Sequence, residues 1–178
     1  MSFRHTAVAL FAVALAASAP ASAQVRGKDA VVMAMALEPT GLDPTTAAAA
    51  SIGEIVHYNV LETLVRIRED GSVAPLLAEK WTVSPDARTF TFELKKGVKF
   101  HNGEPFSAET VRYAFERAAA ADSTNKDKQT YAAIEAIRVT DPHVVAIRLK
   151  GNNPDFLFNV GLSTAVIVEP KSAATNAT

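Results

Sequence analysis

Apolar and polar residues alternate most strictly in Thr89-Phe90-Thr91-Phe92-Glu93-Leu94, which puts Phe90, Phe92 and Leu94 on one face of a strand and the polar residues on the other. Lys95-Lys96-Gly97 turns the chain, and Val98 and Phe100 resume the alternation around Lys99. The pattern predicts an antiparallel hairpin whose buried phenylalanines each contribute about 1.5–3 kcal/mol. Asn102-Gly103 is a second turn signal. Past Pro105 and Phe106 the period changes to that of a helix. Ser107 sits at the N-cap position, Glu109 falls in the first turn, and Val111, Ala114, Phe115 and Ala118 form an apolar stripe, so a helix should run to about Ala121.

The same reading extends to both sides. Asp29 to Leu37 is a continuous apolar run of strand length, broken by the proline- and glycine-bearing loop Glu38 to Ala50. Ile52, Ile55, Val56 and Val60 recur at helical spacing behind Ser51, a plausible N-cap, which predicts a helix over Ser51 to Leu64. A strand at Val65 to Arg68 runs into the turn Glu69-Asp70-Gly71. Trp81, just before the alternating strand, reads as core more readily than as a ring for stacking a ligand. The polar stretch Asp122 to Gln129 reads as a loop. Ile137 to Thr140 and Val145 to Leu149 form a second hairpin around Asp141-Pro142-His143. A short helix from Pro154 to Val160 stops at Gly161, and Ala165 to Val168 is a last apolar run. There is no internal repeat. Strands and helices interleave, so the fold class is mixed α/β (α+β).

Composition narrows the setting. Arg4, the apolar run Ala7 to Ala17 and the small-residue site Ala21-Ser22-Ala23 make Met1 to Ala23 a secretory signal peptide. The run falls short of the ~20 residues that a membrane anchor needs. Cleavage after Ala23 would release a chain starting at Gln24, without a cysteine for lipid attachment, and this points to a bacterial periplasm. The formal net charge of −1, one unit more negative without Arg4, gives no electrostatic attraction to nucleic acid or anionic lipid. The absence of cysteine excludes disulfides, a thiolate metal site and a thiol nucleophile.

Candidate chemistry is sparse. His101 and Glu104 face each other across the Asn102-Gly103 turn, where short polar side chains more often cap backbone groups than transfer protons. His57 and His143 lie elsewhere, and no histidine pair has the i, i+4 spacing of a metal site on a helix. The chain has no G-x-S-x-G elbow, no phosphate-cradling glycine loop and no H-E-x-x-H. No cofactor and no metal site is expected.

The run PLLAEKWTVSPDARTFTFELKKGVKFHNGEPFSAETVRYAFERA, Pro75 to Ala118, resembles the signature region of the extracellular solute-binding protein family 5. Gly41-Leu42-Asp43-Pro44, Leu61-Glu62-Thr63-Leu64-Val65, Val139-Thr140-Asp141-Pro142-His143-Val144-Val145 and Val168-Glu169-Pro170-Lys171 match the family in order and spacing. One departure is Thr110, where the family commonly has Asp. The resemblance implies a periplasmic substrate-binding component of an ABC transporter that hands a peptide or peptide-like solute to inner-membrane permease subunits without chemistry. Dipeptide, oligopeptide, glutathione, nickel complexes, oligosaccharides and opines all occur as ligands in the group. It further implies a two-lobed fold, monomeric at full length, of which this chain carries part: residues 24–64 as the start of lobe I and residues 65–178 as the inserted subdomain with the return towards lobe I. Lobe II would follow, so that Thr178 looks like a truncation, with unpaired sheet edges and marginal stability or association as the consequence.

By the same resemblance the His101 region is scaffold, and the loop after the first strand edges the ligand cleft, where backbone groups pair with an extended peptide as an added strand does. The candidate ligand-binding residues are Thr45, Thr46, Ala48, Ala49, Ala50 and Ser51; the bland alternative is an alanine-rich connector. One cleft wall supplying half of a micromolar interaction of about −8.2 kcal/mol leaves about −4.1 kcal/mol, which is millimolar. The competing readings are a periplasmic hydrolase using His101 with Glu104 or Asp86, and a small exported interaction module.

Overall fold

The computed structural model describes residues 32–47 and 49–175. The signal peptide, the first residues of the predicted strand at Asp29 to Leu37, and Ala48 lie outside the described residues. The chain divides into two units, Met1–Ala34 and Met35–Thr178, and the second carries the fold. In chain order its elements are α1 (Ala50–Val56), β1 (Val65–Ile67), β2 (Val73–Pro75), β3 (Ala78–Val83), β4 (Thr89–Leu94), α2 (Ala108–Ala119), α3 (Lys128–Ala132), β5 (Ile134–Asp141), β6 (Val144–Leu149), α4 (Phe156–Asn159), a 3₁₀ turn at Ser163–Ala165, and α5 (Pro170–Thr175). The mixed α/β class is as the sequence pattern predicts.

A four-stranded antiparallel sheet, in the order β3-β4-β6-β5, holds the core. Phe90 pairs with Ile147 and Phe92 with Val145, so the alternation of β4 and that of β6 coincide on one face. That face is buried, and Phe92, Val145, Ile147 and Leu149 are inaccessible to solvent. Helix α2 covers it with Val111, Ala114, Phe115 and Ala118. Phe115 packs against Tyr131 of α3 at 5.4 Å between ring centroids, and Phe90 against Phe156 of α4 at 4.9 Å. The start of α2 is tied to the β5–β6 turn by Ala108 N–H to the carbonyl of Pro142, 2.8 Å. Ser107 is its N-cap as predicted. Thr110, the departure from the family pattern, completes the cap: its hydroxyl accepts from Ser107 N–H (3.2 Å) and donates to Ser107 O (2.7 Å).

Several expectations are corrected. Val98 to Phe100 is not the partner of β4, because both edges of that strand are taken, by β3 and by β6. The segment folds on itself instead: Phe100 N–H donates to Glu104 O at 2.8 Å, Phe106 N–H to Val98 O at 3.0 Å, and Gly103 turns with φ +87°. Strand β3, which contains Trp81, had no clean alternation to announce it; it exposes most of its length and is irregular at Ala78/Lys80. The described part of Asp29 to Leu37 is not a strand. No neighbouring strand is present among the described residues to take its N–H and C=O groups, and Leu37 is exposed. Asp122 to Gln129 ends in α3 rather than continuing as loop, and α5 was not anticipated.

The first helix is shorter than the spacing predicts. It starts after Ala49, with Ser51 buried inside it rather than capping it, and it stops at His57. Tyr58 adopts a left-handed conformation, φ 64°, at a cost of about 1–2 kcal/mol. The turn aims the Tyr58 hydroxyl between two elements, where it accepts from Ile67 N–H and donates to Gly161 O, both at 2.9 Å. Gly161 does follow the short helix, though for a reason of space: a Cβ there would stand 3.0 Å from Ile67 Cγ1 and 3.2 Å from Phe158 O.

The central position of Phe92 sets a measurable expectation. Phe92→Ala should lower the stability by about 3–5 kcal/mol, while Thr91→Ala on the opposite face changes it by under about 1 kcal/mol. Urea denaturation followed by circular dichroism separates the two.

Candidate functional site

The loop from Asp43 to Ala49 has few atoms of its own to hold it in place. Its order starts with Asp43, whose Oδ1 accepts both the backbone N–H and the hydroxyl of Thr45, at 2.8 and 2.5 Å. Arg117, in the last turn of α2, adds a fork: Nη1 donates to Thr45 Oγ1 at 2.6 Å and Nη2 to Asp43 Oδ2 at 3.3 Å. The two ionic side chains are 21% and 22% exposed, the least exposed ion pair among the described residues. Thr124 donates from its hydroxyl to Thr46 O at 2.7 Å, so the loop is held from both sides of the helix end.

Two cavities flank this loop. A groove of about 970 Å³ is lined by Thr45, Thr46, Arg117, Thr124, His101 and Glu169, among others. A smaller pocket of about 320 Å³ is lined by Ala49, Ala50, Glu54, His57 and Lys126. Of the sequence-predicted site residues, Thr45 and Thr46 therefore border the groove and Ala49 and Ala50 the pocket. Ser51 is buried in α1 and borders neither, and Ala48 lies outside the described residues. Nε2 of His57 is buried without a hydrogen-bond partner, and burial lowers the pKa of this imidazole below its ordinary value, with Arg66 adding to the effect.

The turn at Asn102-Gly103 brings no acid–base pair together. Glu104 accepts from Lys171 Nζ at 2.7 Å, and Asp86 is engaged by Ser84 and by Arg88 N–H in the β3–β4 turn. His101 is exposed. What the turn does is dock α5. Asn102 Nδ2 donates to Glu169 Oε2 at 3.0 Å, and Glu169 in turn accepts Lys171 N–H (3.0 Å), Ser172 N–H (2.7 Å) and the Ser172 hydroxyl (2.7 Å). The N–H of Lys171 first, then the Ser172 and Asn102 donors, hold the Glu169 carboxyl below its ordinary value. Lys171 is correspondingly raised by Glu104. Among the described residues no group of three His, Cys, Asp or Glu side chains is arranged to hold a metal ion, and no helix is long and apolar enough to cross a membrane.

Sequence reasoning missed Arg117 and Glu169 as organising residues. Arg117 flanks the apolar stripe of α2 like any solvated charge, and its partner Asp43 is 74 positions away. Glu169 precedes Pro170 at the start of α5, a position where a carboxylate caps a helix, and that local signal was available.

The profile described as bacterial extracellular solute-binding proteins, family 5 Middle, matches residues 72–178. The chain belongs to this family. It is 32% identical over 163 residues to the glutathione-binding protein GsiB of Salmonella choleraesuis, covering 92% of this chain and 31% of that protein. It is 31% identical over 180 residues to the probable D,D-dipeptide-binding periplasmic protein DdpA of Escherichia coli, covering 96% and 33%. The solved structure of the PBP AgaA in complex with agropinic acid, from A. tumefacien R10, superposes with a TM-score of 0.73 at 29% identity, covering 79% of this chain and 28% of that one. The chain thus spans about a third of the length of the curated relatives it matches, and its fold is that of part of a two-lobed periplasmic binding protein.

The Glu169 clasp has a pH dependence of defined sign. A carboxyl held below its ordinary value of 4.5 binds fewer protons folded than unfolded, so its stabilisation is complete above 4.5 and lost as the pH falls through the lower folded value. The amide resonances of Lys171 and Ser172 should titrate in that acid range while those of β4 and β6 do not. Glu169→Gln should abolish the titration, and an unchanged acid transition in that variant would contradict the clasp.

Proposed function

We propose that this chain forms the ligand-cleft edge and inserted subdomain of an exported substrate-binding component of an ABC importer for peptides or peptide-like solutes. It works by binding and handing over, without bond chemistry. On this reading residues 24–64 begin lobe I, residues 65–178 form the subdomain and the return towards lobe I, the signal peptide ends at Ala23, and the partners are inner-membrane permease subunits.

The observation that carries the reading is family membership, together with the tethered loop at Thr45, Thr46, Ala49 and Ala50 set between two cavities. One relative is named as glutathione-binding and another as probable D,D-dipeptide-binding, both short peptide-like solutes, and this supports the ligand class. The loop suits such ligands in that its described side chains beyond Thr46 are alanines, which leave room for an extended peptide added as a strand would be. The engagement of Glu104 by Lys171 and of Asp86 by Ser84 supports a role without catalysis.

The test uses the protein expressed from its whole reading frame, with glutathione, a dipeptide and a D,D-dipeptide as probes. One of them should raise the melting temperature, by the equivalent of about 2.7 kcal/mol at a hundredfold excess over Kd. Residues 24–178 alone should show millimolar affinity or weaker, since one wall surrounds too little of the ligand. Micromolar binding by residues 24–178 refutes the shared-wall argument. Turnover of a peptide that disappears in His101→Ala refutes the non-catalytic one.

A further inference from the structure

We infer that Arg117 is the positioning residue of the cleft-edge loop. From the last turn of α2 it fixes Asp43 and Thr45, and thereby sets the backbone course of the segment that leads to α1. The functional meaning of this rests on the reading of the loop given above; the tether itself does not.

Three observations carry the inference. The first is that the loop has no anchor of its own size: beyond Thr46 its described side chains up to α1 are alanines, and α1 begins without a side-chain cap. The second is the connectivity. Arg117, Thr45 and Asp43 close a ring in which Thr45 Oγ1 accepts from the guanidinium and donates to Asp43 Oδ1, while Asp43 Oδ1 also takes the Thr45 N–H and Asp43 Oδ2 the second guanidinium nitrogen. A planar guanidinium holds two donors at a fixed spacing towards two separate acceptors, whereas the donors of an ammonium radiate from a single nitrogen on a flexible stem. The third is placement. The pair is less exposed than the other ion pairs among the described residues, which makes it less screened than they are. Its carrier, α2, is rooted at its other end in the core sheet and the β5–β6 turn. The longest helix among the described residues, capped at its start and packed on the sheet, is therefore the one that holds the loop. Pro44, buried beside the ring, restricts the backbone at the point where the tether acts.

The consequence is specific to position rather than to composition. Arg117 borders the groove, yet its guanidinium is directed at the loop, so it shapes the edge that a ligand backbone meets. Its removal leaves the sheet intact and frees the loop.

The experiment is amide hydrogen exchange on the protein expressed from its whole reading frame, comparing wild type with Arg117→Met, Arg117→Lys, Asp43→Asn and the Asp43→Asn/Arg117→Met double variant. Exchange at Thr45 and Thr46 should rise at least about tenfold in Arg117→Met, with β4 and β6 amides unchanged. Arg117→Lys should recover only part of the protection, and the double variant should exceed the larger single effect by less than about twofold, as expected for residues acting as one unit. Unchanged exchange in the loop overturns the inference, as does an increase spread evenly over the sheet, or additive effects in the double variant. Glutathione titration of the same proteins separates this from the functional reading. If wild type binds and Arg117→Met binds at least about tenfold more weakly, both stand. If wild type binds none of the peptide probes, the functional reading fails while the exchange data still decide the tether.

Discussion

The burial of one face of the four-stranded sheet beneath α2 is the interaction on which the remaining structure depends. Phe90, Phe92 and Leu94 from β4 and Val145, Ile147 and Leu149 from β6 meet Val111 and Phe115 from the helix, and all eight are essentially inaccessible to solvent. Dispersion and hydrophobic transfer act on the same residues here. Because β4 and β6 are the inner strands, neither has a free edge. The 98–106 hairpin hangs where Lys95 N–H reaches Leu77 O, α4 lays Phe156 on the end of the sheet, and α3 supplies Tyr131 against the helix.

What joins the outlying pieces to this core is polar and long-range. Tyr58 links the end of α1 to β1 and to Gly161; Glu169 links α5 to the Asn102 turn; Thr164 links the 3₁₀ turn to Asp127 through its hydroxyl (2.6 Å) and to Asn125 and Tyr131 through its carbonyl. Asn125 and Thr164 are buried, so these bonds satisfy groups that are costly to bury unpaired. The Tyr131 hydroxyl, which donates to Thr164 O at 2.9 Å, is driven far above its ordinary pKa by burial and remains a donor throughout. The apolar sheet sets the shape, and these bonds set where the loops rest on it.

This division explains what could be read from the residues alone. The strands β4 and β6, helix α2 with its Ser107 cap, the β5–β6 hairpin and the helix before Gly161 were legible because each is specified locally, by period and by cap. Pairing was not legible. The alternation in Val98 to Phe100 is real, yet it says nothing of whether the neighbouring edge is free, and β3 occupies that edge with a sequence, AEKWTV, that is mostly exposed. Helix α1 was overextended because Val60 fits the helical period, while the decisive event, the left-handed turn at Tyr58, depends on acceptor and donor groups at Gly161 and Ile67. The apolar run ending at Leu37 shows the converse: strand composition without a neighbouring strand among the described residues gives irregular backbone. At the candidate site the loop itself was found from resemblance, whereas Arg117 was invisible, since a pair separated by 74 positions leaves no periodic trace.

On the proposed reading of the loop as a cleft edge, the location of charge around it bears on how it can work. Charged side chains within the loop would impose a fixed pattern on any ligand and would have to be desolvated when it bound. Alanine at the edge presents little besides backbone N–H and C=O groups, which recognise an extended chain irrespective of its side chains. The drawback is that alanines do not hold a loop still, and a loop ordered only on binding gives up part of its affinity to that ordering. On the proposed reading, the charge at the start of the loop, Asp43, is taken up by Arg117 on a helix packed against the core, so that the alanine stretch stays neutral while its course is set by an ion pair.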